Sequence, residues 1–138
     1  MKKICTDYVI IGGGGCGVAS AITAAESGLN VILLEKNISL GGMTKFCEGM
    51  FAVGTKQQRE MKLPYTVEDR FKAHMDESKW LANPRLVRIL IERSAETIEW
   101  LESMGCEFTG VVSFYGNFIP HHSIGYCPLY SVFSASRS

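Results

Sequence analysis

Two short apolar runs, Tyr8-Val9-Ile10-Ile11 and Val31-Ile32-Leu33-Leu34, lie on either side of a stretch of small residues. Unbroken runs of this length suit strands buried on both faces of a parallel sheet, where polar alternation is not required. Between them, residues 15–27 are small and helix-tolerant, with Val18, Ala21, Ile22 and Ala25 at helical spacing and Gly28 placed to end the helix. Strand, glycine turn, helix, glycine and strand predict a right-handed βαβ unit in about thirty residues.

Beyond it, residues 36–55 read as a glycine-rich loop, and residues 57–62 as polar and exposed. Thr66 predicts the cap of a helix from 67 to about 78, with Asp69 at its third position. His74 falls at the surface or boundary of that helix. Asn83 followed by Pro84 predicts a second helix start, and Gly105 its end. Leu86, Leu90, Ser94, Ile98 and Leu101 form its expected apolar side, widened by Val87 and Ile91. Arg85, Arg88, Glu92, Arg93 and Glu96 form a solvated face. "CEFTGVVSFYG" reads as strand and turn, and from Phe108 to Ser136 there is no Asp, Glu, Lys or Arg and no clear period. The expected division is therefore residues 1–112 and an atypical uncharged tail, 113–138, open to being foreign to the fold.

Composition narrows the class. At 138 residues, with 46% apolar and 20% charged, the chain suits one packed domain rather than disorder. A net charge of zero argues against a general nucleic-acid binder. No run of eighteen apolar residues exists, so no membrane span is expected. "MKKICTDYVIIGGGGC" mimics a lipoprotein leader, but Asp7 interrupts its apolar segment. Five cysteines, an odd number without a CxxC, read as reduced thiols of a cytoplasmic protein and suggest no metal site.

The chemistry concentrates in "VIIGGGGCGVASA", where Gly12, Gly14 and Gly17 stand as G-x-G-x-x-G between a predicted strand and helix. With Glu35 closing the next strand, this context meets the dinucleotide fingerprint. Gly12 permits a sharp turn, Gly14 close approach of a pyrophosphate, and Gly17 close packing of helix on strand. The N–H groups near Gly15 and Cys16 open toward an anion at the positive end of the helix. Glu35 suits a ribose diol and repels a 2′-phosphate. Cys16 reads as a backbone contact rather than a redox thiol, since no resolving cysteine or base stands nearby in sequence. NAD and FAD share the ADP half. The second glycine cluster in "EKNISLGGMTKFCEGMF" points to the longer cofactor, with Gly41 and Gly42 allowing close approach and the Thr44 hydroxyl free to donate.

On the segments "DYVIIGGGGCGVASAITAAESGLNVILLEKN", "LGGMTKFCEGMFA" and "NPRLVRILIERSAETIEWLESMGCEF", the chain resembles the FAD-dependent oxidoreductases of the fumarate reductase and succinate dehydrogenase flavoprotein type, whose relatives include urocanate reductases and 3-ketosteroid dehydrogenases. The resemblance implies an α/β fold: a Rossmann-like βαβ FAD-binding unit, then a mainly helical segment, with an incomplete sheet. It also implies FAD contacts from Gly12, Gly14, Gly15, Cys16 and Gly17 at the pyrophosphate. Glu35, with Lys36 beside it, would lie at the adenosine ribose. Gly42, Met43 and Thr44 would line the diphosphate and ribityl part, and Gly49 would approach the flavin. Succinate dehydrogenases place a histidine, covalently bonded to FAD, where this chain has Met43, so noncovalent FAD is expected. A second departure is Gly49-Met50, where members of the family often carry a glycine pair.

The resemblance further implies hydride transfer between flavin and an activated C–C bond of a small-molecule substrate. In such enzymes the catalytic acid and the substrate-binding arginines and histidines come from a capping domain and later segments. The catalytic residues here are therefore unknown, and the remainder of the flavoprotein is the expected partner. His121 and His122 read as ordinary tail residues, because neighbouring side chains of an extended segment face opposite ways. The alternatives are a non-catalytic adenine-dinucleotide module and an inactive, truncated or frame-shifted gene product.

Overall fold

The computed structural model describes residues 3–47, 49–114 and 119–126. They form two compact units, one up to residue 47 and one from residue 49 onward.

The first unit is the βαβ turn. Strands β1 (Tyr8–Ile11) and β2 (Val31–Leu34) pair in parallel, Tyr8 against Val31 through to Ile11 against Leu34. Helix α1 (Gly15–Glu26) connects them. The Asp7 carboxylate, which breaks the apolar run in the sequence, accepts from the Asn30 N–H at 2.9 Å and ties the two strand starts together. Gly28 takes φ +83 just past the helix, and its N–H donates to the Ala25 carbonyl at 2.9 Å. Glycine adopts this left-handed geometry without a Cβ clash. A sheet of two strands covers little: Ile11 is 86% exposed and Leu34 52%. The incomplete sheet expected from the sequence is thus present.

The second unit mixes helices with a small antiparallel sheet. Its helices are α2 (Lys56–Glu60), α3 (Val67–Glu77), α4 (Pro84–Glu92) and α5 (Ser94–Ser103). Its strands β3 (Gly49–Phe51), β4 (Glu107–Phe114) and β5 (Ile119–Tyr126) lie in the order β3-β5-β4. The caps follow side-chain chemistry. Thr66 Oγ1 accepts from the Asp69 N–H, and Asn83 Oδ1 from the Arg85 N–H at 3.0 Å. The core gathers Val53, Met75, Val87 and Ile91, with Phe51, Tyr65 and Phe71 packed around them.

Four expectations change here. The helix expected to run from Pro84 to Gly105 is two helices meeting at Arg93. Its buried side is Val87, Ile91, Ser94 and Ile98, whereas Leu86 and Leu90 are exposed. Because α4 is apolar on more than one side, helical spacing alone leaves the choice open; the positions of Phe51, Phe71 and Met75 make it. Ser94 turns inward because its Oγ accepts from the buried Val53 N–H at 2.9 Å.

The polar segment 57–62 is also not wholly exposed. Gln58 is buried, its Oε1 accepting from the Gly54 N–H and its Nε2 donating to the Ala52 carbonyl, both at 2.7 Å. A buried amide is tolerated when both ends are paired. Likewise His122, expected in an ordinary tail, is fully buried, with Nε2 2.8 Å from Thr55 Oγ1. Finally, Cys106 is disulfide-bonded, while Cys5, Cys16 and Cys47 are free. An odd cysteine count without a CxxC does not exclude a bridge between two of them. The cytoplasmic reading built on five reduced thiols loses that support.

Candidate functional site: a glycine cradle at the start of α1

The site lies wholly within the first unit. After β1 the chain turns at Gly12, φ +100, whose N–H extends the ladder to the Leu34 carbonyl at 2.8 Å. Gly13 is buried, and a Cβ there would lie 2.2 Å from Leu40 Cδ2. Its N–H donates to Glu35 Oε2 at 2.6 Å, and its carbonyl accepts from the Gly41 N–H at 2.7 Å.

Gly14 is the N-cap of α1, and no side chain caps this helix. The first internal bond runs from the Val18 N–H to the Gly14 carbonyl. The N–H groups of Gly15, Cys16 and Gly17 therefore have no acceptor four residues back, and they carry the positive end of the helix dipole. A Cβ on Gly14 would meet nothing within 4 Å, so the space above it is open. A Cβ on Gly17 would lie 1.9 Å from the Gly12 carbonyl oxygen, so helix and loop touch through bare backbone.

The second glycine cluster closes the other side. Gly14 and Gly41 form an isolated parallel bridge. Gly41 and Gly42 take φ +104 and +51 and lead into a short 3₁₀ turn, Gly42–Phe46. The Thr44 side chain sits over Gly15, 2.5 Å from where a Cβ would be. Glu35 follows β2. Backbone hydrogen bonds from Asn37 and then Gly13 hold its carboxyl below the usual range, so it is a carboxylate near neutrality.

Of the positions expected from the sequence, Gly12, Gly14, Gly15, Cys16, Gly17, Glu35, Gly42 and Thr44 come together here. Met43 and Lys36 are exposed beside them. Gly49 is in the second unit, paired with Ser123 in β3. The sequence reading passed over Gly13, an unspecified position of G-x-G-x-x-G, and over Asn37. The four-glycine run was the available signal for Gly13.

A family profile described as "FAD binding domain" matches residues 7–125. The chain belongs to the FAD-binding domain family. This FAD-binding domain is 38% identical over 105 residues to the vinyl phenol reductase of Lactiplantibacillus plantarum, covering 76% of this chain and 21% of that protein. It is 37% identical over 106 residues to a cytochrome-type fumarate reductase of Shewanella frigidimarina, covering 76% and 19%. Among solved structures, the open conformation of a flavocytochrome c3 fumarate reductase superposes with a TM-score of 0.79 at 29% identity, over 94% of this chain and 24% of that one. The chain thus spans about a fifth of the length of these curated relatives. The family read from the sequence, a fumarate reductase-type flavoprotein with FAD as cofactor, is borne out.

The residues present fit such a cofactor. A helix N-terminus without a side-chain cap, open space above Gly14 and a carboxylate after β2 are what a diphosphate and a sugar diol require. Among the described residues no helix is long and apolar enough to cross a membrane, and no cluster could hold a metal ion.

Proposed function

We propose that the chain is the FAD-binding portion of an oxidoreductase that moves hydride between flavin and an activated C–C bond. The observation that carries this reading is the uncapped N-terminus of α1 beside open space at Gly14, with the Glu35 carboxylate within reach of the same loop. Gly14, Gly15, Cys16 and Gly17 hold the diphosphate through backbone N–H groups, and Gly12 shapes the turn. Glu35, with Lys36 beside it, holds the ribose. Gly42, Met43 and Thr44 lie along the remaining diphosphate and ribityl chain, and Gly49 belongs to the flavin end.

When bound, the flavin supplies the hydride chemistry; these residues supply position and field. Met43 has no imidazole nitrogen to form the histidyl bond described for succinate dehydrogenases, which supports noncovalent attachment. The exposed apolar side chains of β1 and β2 support further strands of the same flavoprotein as the partner. A capping domain and later segments would bring the substrate-binding residues, and fumarate-like acids, phenolic alkenes and ketosteroids are the candidate substrates.

The test is competition binding with the full chain or its assembled flavoprotein. ADP should displace FAD, and an ADP carrying a 2′-phosphate should bind at least about tenfold more weakly, since it sets a dianion against Glu35. Acid precipitation should leave all flavin in the supernatant. Equal affinity for the two nucleotides would refute the assignment of Glu35, and flavin that stays on the precipitated polypeptide would refute noncovalent binding.

A further inference from the structure

We propose that Glu35 is a positioning residue for the glycine loop as well as a sugar ligand: by holding Gly13, it sets the cradle in binding shape before any nucleotide arrives. The proposal rests on the reading of this loop as an adenine-dinucleotide cradle, and it adds a second task for the same side chain.

The hydrogen bonds carry it. Glu35 Oε2 accepts from the Gly13 N–H at 2.6 Å, and Oε1 accepts from the Asn37 N–H at 2.8 Å. Bonds from N–H to an ionised carboxylate are among the stronger ones in proteins. Gly13 is pinned on its other side as well, its carbonyl accepting from Gly41. Both polar groups of this buried residue are thus committed. Its N–H serves the carboxylate and is withheld from phosphate.

The consequence falls on the next residues. Gly14 caps α1 directly after Gly13, so the orientation of the Gly13 peptide sets where the N–H groups of Gly14, Gly15 and Cys16 point. A loop with several glycines is otherwise costly to order. A carboxylate that orders it in advance removes that cost from binding. The carboxylate has about four lone-pair sites, so accepting the Gly13 and Asn37 N–H groups does not by itself exhaust its capacity for a sugar hydroxyl.

The sign of the effect separates this role from the sugar contact. A carboxylate close to an anion site repels phosphate. If Glu35 only held the sugar, then for a nucleotide without sugar hydroxyls its removal would leave affinity unchanged or raise it. If Glu35 shapes the loop, its removal weakens that nucleotide too.

The experiment uses the full chain and two readouts. The first is amide hydrogen exchange at Gly13 without ligand. Protection in the wild type that falls at least about tenfold in Glu35→Ala is expected, because the charged acceptor is gone. The second is affinity for 2′,3′-dideoxyadenosine 5′-diphosphate, which should fall about tenfold in Glu35→Ala, with a larger fall for ADP. Glu35→Gln, which keeps the shape but offers an N–H to one of the two backbone donors, should lie between. It also replaces the alanine variant if that one fails to fold. Fast exchange of Gly13 in the wild type, or dideoxy-nucleotide affinity that is unchanged or improved in the variants, overturns the proposal. A wild-type chain that binds neither ADP nor FAD sinks the cradle reading instead, while Gly13 exchange still decides whether Glu35 holds the loop.

Discussion

Alanine at Gly17 and alanine at Gly14 should fail in opposite ways. At Gly17 the new methyl would stand 1.9 Å from the Gly12 carbonyl oxygen, where real contacts essentially never fall below 3.0 Å. The obstacle is backbone, so α1 must lift from the loop. Overpacking of this kind costs about 1–3 kcal/mol, and this contact belongs at the upper end. The better helix propensity of alanine returns about 1 kcal/mol, leaving a net loss of about 2 kcal/mol. At Gly14 the methyl meets nothing within 4 Å. Losing glycine at an N-cap and stiffening the unfolded chain are opposing effects of similar size, so stability should stay within about 0.5 kcal/mol. That methyl, however, enters the open space assigned to the diphosphate, so ADP affinity should fall at least about tenfold. Urea unfolding followed through the amide signals of α1, with ADP titration of each folded variant, measures both quantities. Equal destabilisation by the two substitutions, or full ADP affinity in Gly14→Ala, would refute the assignment of these glycines.

Other tests probe the rest of the molecule. Ser94→Ala leaves the buried Val53 N–H without its 2.9 Å acceptor, and the second unit should lose about 1–3 kcal/mol in urea unfolding. Ile91→Ala empties a fully buried core position and should cost about 2–5 kcal/mol, whereas Leu86→Ala, on the exposed side, should cost little in the same assay. The pH dependence of Glu35 has a defined sign. Its folded pKa is depressed below 4.5, so its contribution is present above 4.5 and is lost as pH falls through the lower, folded value. The stability difference between wild type and Glu35→Gln should therefore be flat from neutral pH down to 4.5 and shrink below it; a difference that grows on acidification would contradict the carboxylate bonding seen here.

Local chain chemistry was sufficient to read the first unit and the helix starts at Thr66 and Asn83, though not those of α2 and α5. Four apolar residues in a row, a glycine run and a second apolar run can satisfy backbone and side chains in few ways, and the βαβ turn is one of them. Asn83-Pro84 and Thr66 announced their helices because a cap is a bond between near neighbours. Gly12 and Gly17 were legible for the same reason: the positive φ of Gly12 and the clearance Gly17 leaves for the Gly12 carbonyl lie within a few residues. What tertiary structure alone decided is every choice between distant partners. Only the core could select Val87 and Ile91 over Leu86 and Leu90. Only the β3-β5-β4 sheet could bring His122 to Thr55 and enclose it. The role of Gly13 became visible only once Glu35, twenty-two positions away, was seen to accept from its N–H. Short-range preference is written in the residues themselves, whereas long-range pairing depends on which surfaces the folded chain brings within 3 Å, about the reach of a hydrogen bond.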